Sequence, residues 1–154
     1  SRGYDASFSG WMLSLSQATG IFGSLIIPIF AGRRRDQRMI VLVLLILECI
    51  GLVGLLLPQF GPPALWIGLI GFELGGTFGL ALLFIVLRSH NADSATELSG
   101  MAQSIGYFVA GIGPIVFGSV FDLTGGWTYP LILLFVVTFL KLCTGLPAAK
   151  PGMV

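Results

Sequence analysis

The sequence predicts an all-α membrane protein, a helical transmembrane bundle of about five spans. Three observations predict it. First, of 154 residues 55% are hydrophobic and only 10% are charged, with a mean hydropathy of +0.96. A soluble domain carries about a quarter charged residues, so a surface built from this composition faces lipid. Second, the apolar residues fall into five long runs. Each is close to the roughly 20 residues that a helix needs to cross a hydrocarbon core about 30 Å thick. Third, the basic residues gather in alternate breaks between those runs.

The runs extend over about 10–32, 39–57, 64–87, 98–121 and 127–146. Continuous apolar stretches of this length indicate helices, because barrel strands are shorter and alternate. The first break is Arg33-Arg34-Arg35-Asp36-Gln37-Arg38. The second, Pro58-Gln59-Phe60-Gly61-Pro62-Pro63, stops a helix with prolines. The third, Arg88 to Glu97, has room for a short surface helix of its own, and the fourth is Asp122-Leu123-Thr124-Gly125-Gly126.

Lys and Arg set the orientation. Arg33, Arg34, Arg35 and Arg38 lie in the first break, Arg88 in the third, and Lys141 and Lys150 near the end; Arg2 alone lies on the opposite side. The first residues are therefore expected outside the cytoplasm and the C-terminus inside it. The opening Ser1-Arg2-Gly3-Tyr4-Asp5 has no starting Met and no basic-then-apolar leader pattern. It reads as an internal loop. Residues 1–154 are accordingly expected to form a single transmembrane helical domain, truncated at its N-terminus.

Composition also excludes several classes of function. A net charge of +1 gives no basic field for nucleic acid. Cys49 and Cys143 both fall in apolar runs, where small buried hydrophobes are expected rather than a disulfide or a metal site. No His-Glu-x-x-His, Gly-x-Ser-x-Gly or phosphate-binding loop occurs, so neither an enzyme nor a bound cofactor or metal is expected.

Small residues recur at helical spacing. Span three carries Gly71, Gly75 and Gly79; span one carries Ser16, Gly20 and Ser24; span four carries Gly100, Ser104, Gly111 and Gly118. Small residues four apart form a groove that lets helices approach closely. Packing is the expected role, and Pro28 and Pro114 are expected to kink or interrupt their helices.

The polar residues at membrane depth are the candidates for function. An ionised carboxylate inside a bilayer is costly, so it must be protonated, paired or turned toward water. Glu73 in span three, with Thr77 one turn on, is the first candidate for proton coupling or solute contact. Glu48 in span two has aliphatic neighbours and carries less weight. Gln17 in span one and Gln103, Ser104 and Tyr107 in span four suit a polar pathway or interhelical hydrogen bonds. Lys141 is expected to snorkel to the inner interface. Asp36 is expected either to pair with Arg38 or to cap a neighbouring helix.

Ala31-Gly32-Arg33-Arg34-Arg35-Asp36-Gln37-Arg38 resembles the short cytoplasmic loop signature of the major facilitator superfamily. Gly111-Ile112-Gly113-Pro114, Gly118 and Asp122-to-Trp127 resemble the next-to-last helix and final external loop of the same superfamily. Together with Arg88 and Met101-Ala102-Gln103-Ser104-Ile105-Gly106-Tyr107, the pattern is similar to the cyanate and nitroimidazole permease branch. The resemblance covers nearly the whole chain. It implies the last five of twelve helices, with a missing N-terminal half as partner. It implies alternating-access transport of a small polar or anionic solute across a bacterial inner membrane. It turns Gln17, Glu73, Gln103 and Tyr107 toward the central cavity and leaves Glu48 and Lys141 peripheral. Arg35, Asp36 and Arg38 would form a conformational gating loop, one shorter here than the full signature. The alternative class is a non-transporting membrane subunit that assembles with partner helices.

Overall fold

The computed structural model describes residues 5–150. Arg2, the sole basic residue expected on the outer side, lies outside the described residues. Five helices follow in order: α1 (Ala6–Gly32), α2 (Arg38–Leu56), α3 (Pro63–Arg88), α4 (Ala92–Thr124) and α5 (Thr128–Ala148), with a 3₁₀ turn at Pro58–Phe60 between α2 and α3. All five are long and apolar enough to cross a membrane. There is no strand among the described residues.

Local chemistry fixes the ends. The Asp5 carboxylate accepts the Phe8 N–H at 2.7 Å and starts α1 four residues before the apolar run begins. Pro63 opens α3 at a position where its missing N–H costs nothing. Asn91 accepts the Ser94 N–H at 2.8 Å and starts α4 directly after Ser89 and His90. The segment Arg88 to Glu97 therefore holds no separate surface helix: the Asn91 cap merges it into α4. That helix runs to Gly125, whose φ of +65° supplies the left-handed residue that ends it. At 1.5 Å per residue α4 is about 50 Å long. It exceeds a hydrocarbon core of about 30 Å, and its surplus is the polar first stretch carrying Asp93 and Glu97.

α3 is the centre of the bundle. α1, α2 and α4 pack on it, and α5 packs on α2 and α4. Lipid tails are as apolar as leucine, so hydrophobicity alone does not drive helices together in a bilayer; close backbone approach must. The α1–α3 pair achieves it with the two small-residue stripes noted above. A Cβ placed on Gly71 would lie 2.3 Å from the Ser16 carbonyl oxygen, one on Gly75 1.9 Å from the Gly20 oxygen, and one on Gly79 2.5 Å from the Ser24 oxygen. Gly23 completes the seam, with Phe72 O only 2.0 Å from where its Cβ would stand. α2 meets α3 differently, with Gly54 receiving the Trp66 ring and Gly51 the Ile70 side chain.

The buried core is small. Leu44, Leu45, Val41, Leu80, Ala31 and Ala149 cluster at the end that carries the basic loop. Elsewhere large apolar side chains face outward, including Phe22, Ile29 and Phe30 on α1 and Ile105, Phe108 and Ile115 on α4. α4 has no buried residue at all. A surface this apolar is wetted by lipid, not by water.

Candidate functional site

Three ionisable side chains from three helices meet inside the bundle. Glu48 lies about 15 Å into α2 from Arg38, at 1.5 Å per residue. Glu73 lies near the middle of α3 and is wholly buried. Lys141 of α5 bridges them, its Nζ 2.8 Å from Glu48 Oε2 and 3.0 Å from Glu73 Oε1. These are the ion pairs among the described residues. Two threonines complete the group: Thr138 donates to Glu48 Oε1 at 3.1 Å, and Thr77 donates to Glu73 Oε1 at 2.6 Å.

The cluster is asymmetric. Both oxygens of Glu48 have a hydrogen-bond donor. Glu73 concentrates both its donors on Oε1, and its Oε2 is buried without a partner. One ammonium against two carboxylates leaves one negative charge over when all three are ionised. A lone charge at this depth demands a proton or water.

A cleft of about 250 Å³ leads from the cluster toward the basic end. Its walls come from α2, α3 and α5, and Lys141, Thr77 and Thr144 are its polar groups. On other faces of α3 lie two further grooves. One, of about 330 Å³, runs between α1 and α3 and includes Gln17. The other, of about 340 Å³, runs between α3 and α4 and includes Gln103 and Tyr107. Phe78 borders both grooves.

In the first interhelical loop Asp36 caps rather than bridges: its Oδ1 accepts the backbone N–H of Arg38 at 3.0 Å. Arg35 is exposed and the Arg38 side chain is half-buried. The anchor of the loop is Gln37, a residue the sequence did not single out. Its buried amide donates to the Arg34 and Ala31 carbonyls and ties the loop to the end of α1.

Comparison with known proteins supplies the family. The chain is 40% identical over 97% of its length to a transporter of Bacillus subtilis, YycB, whose name gives no substrate. It is 36% identical over the same share to the 2-nitroimidazole transporter of Escherichia coli, and 31% identical over 81% of its length to the cyanate transport protein CynX of the same organism. The chain belongs to the major facilitator superfamily of transporters, in its cyanate and nitroimidazole permease branch. No family model and no solved structure matches it. The facilitator chain spans 38% of the length of the first two relatives and 32% of the third.

Within this facilitator fold the candidate residues separate. Gln103 and Tyr107 share one groove, and Gln17 joins them only through Phe78. Glu73 is not with them. It points to the α2 and α5 side, where Glu48 and Lys141 stand. One expectation is corrected here. Lys141 does not snorkel, because two carboxylates satisfy its ammonium inside the bundle. Glu48, whose sequence neighbours are aliphatic, bonds to another helix: Thr138 and Lys141 of α5 each supply a donor to one of its oxygens. The signal available in the sequence was electrostatic: a lysine inside an apolar span needs an anion, and two glutamates occupy neighbouring spans.

Proposed function

We propose that this protein is part of a secondary transporter that carries a small polar or anionic solute by alternating access, coupled to proton movement at Glu73. The observation that carries the reading is the buried Glu48–Lys141–Glu73 group with its unmatched charge and the unpartnered Glu73 Oε2. A bilayer-embedded protein keeps such a group when a proton comes and goes. The relatives support the solute class, being named for cyanate and 2-nitroimidazole, and in Thauera aromatica for a putative anionic 4-hydroxybenzoate permease that is 37% identical over 61% of this chain.

Solute contact is assigned to Gln17, Gln103 and Tyr107, whose amides and hydroxyl offer donors and acceptors along the grooves beside α3. The opposing wall of the pathway comes from the length that the relatives have beyond the matched region, and the two halves rock about the solute. Arg35, Asp36 and Arg38 form a loop that favours one of the two conformations. The membrane is a bacterial inner membrane with the C-terminus on the cytoplasmic side, following the Lys and Arg distribution.

Glu73→Gln tests the coupling in the full-length protein. Uptake of cyanate, 2-nitroimidazole and 4-hydroxybenzoate is measured in membrane vesicles with and without an imposed pH gradient. Gradient-driven uptake of the transported solute is expected to fall at least tenfold, with the amount of protein in the membrane unchanged. Undiminished gradient-driven uptake removes Glu73 from the mechanism.

A further inference from the structure

The cleft between α2, α3 and α5 shares no lining residue with the groove that holds Gln17, and only Ala81 with the one that holds Gln103 and Tyr107. It begins at Val41, Phe84 and Ala148 at the basic end and finishes at Thr77 and Lys141. Its rim is tied: the Arg88 guanidinium donates to the Lys150 carbonyl at 2.8 Å and lies over the Phe84 ring, 5.1 Å from its centre. Both polar groups at the inner end, the Thr77 hydroxyl and the Lys141 ammonium, touch the same oxygen of Glu73. The Lys141 side chain is 26% exposed, so the buried cluster has an opening, and Lys141 lines the cleft.

We infer that this cleft is the water route by which protons reach Glu73 from the basic-loop side, with Thr77 as the relay. The inference rests on the proton-coupled reading above. In the step, a hydronium ion in the cleft gives a proton to Thr77 Oγ1 while Thr77 passes its own hydroxyl proton to Glu73 Oε1. Water leaves, the threonine ends as it began, and the cluster loses its surplus negative charge. Glu48 and Lys141, 2.8 Å apart, remain a neutral pair throughout. No other ionisable group enters. α1 has none between Ala6 and Gly32, and the groups of α4 are Asp93 and Glu97 in its first turns, Tyr107 on the opposite groove and Asp122 at its end. The proton therefore travels on one side of α3 and the solute on the other, with α3 as their shared moving part.

The test uses the full-length transporter in vesicles. Thr77→Val keeps the shape and removes the hydroxyl; Thr77→Ser restores it. Gradient-driven uptake is expected to drop at least tenfold in Thr77→Val and to stay within about twofold in Thr77→Ser, while solute exchange without a gradient is unchanged in both. In a Cys49→Ser, Cys143→Ser background, Thr144→Cys is expected to react with a charged, membrane-impermeant thiol reagent added on the basic-loop side. If Glu73→Gln abolishes gradient-driven uptake but Thr77→Val does not, the relay is wrong and proton coupling stands. If neither matters, the coupled reading falls and takes the relay with it. A Thr144→Cys that reacts only with lipid-soluble reagents overturns the water route.

Discussion

Gly75→Leu is expected to separate α1 from α3 and to leave little folded protein. The Cβ alone would stand 1.9 Å from the Gly20 carbonyl oxygen and 2.6 Å from its Cα, so the obstacle is backbone and cannot rotate away. Extra volume in a packed interior costs about 1–3 kcal/mol when side chains can shift. Here the helices themselves must part, and the neighbouring contacts at Gly71, Gly79 and Gly23 part with them. The cost is expected above that range. Full-length protein carrying Gly75→Leu should be recovered from detergent extracts as aggregate, or melt far below the parent. Gly10→Leu, whose added Cβ has nothing within 4 Å, is the control and should behave as the parent does. Equal recovery of the two variants would show that α1 and α3 do not pack through these stripes.

The second large effect is expected from Lys141→Met. Removing one member of a buried ion pair typically costs about 3–5 kcal/mol, because the remaining charge is left without compensation. Two carboxylates are abandoned in this case, Glu48 nearly buried and Glu73 fully so. The thermal midpoint of the detergent-solubilised protein should fall clearly. Adding Glu73→Gln to Lys141→Met removes one of the two uncompensated charges and should recover part of the loss, a coupling that independent sites would not show. Additive effects of the two substitutions would mean that Lys141 and Glu73 do not interact.

The helical class and the approximate runs were legible because a membrane imposes one rule on every residue at once: backbone polar groups must be satisfied within the segment, and side chains must suit hydrocarbon. The small-residue stripes on spans one and three were legible because the repeat of four survives translation into a helix face. That Ser16, Gly20 and Ser24 meet Gly71, Gly75 and Gly79 was not, since a stripe does not name its partner; Gly23 carried no sign of its place in the seam. The start of α4 was misjudged because hydropathy ignores caps, and Asn91 begins the helix well before the apolar run.

The site divides in the same manner. Glu73, Gln17, Gln103 and Tyr107 stood out as polar residues in an apolar setting, and burial of Glu73 follows from that setting. Their separation onto different faces of α3 does not. Glu73 and Phe78, five residues apart, fall on different faces of α3 by the helix period alone, but which helix lies against each face is not written in that period.

The sequence by itself determined that this chain is a membrane bundle, roughly where its apolar spans run and which residues are too polar for their depth. Solvent preference is a property of each segment and needs no neighbours to be read. Only the tertiary structure decided that Lys141 of α5 answers Glu48 of α2 and Glu73 of α3. A charge in a low-dielectric interior is stabilised by whatever lies within a few ångströms of it, and those neighbours come from residues 68 and 93 positions away in the chain.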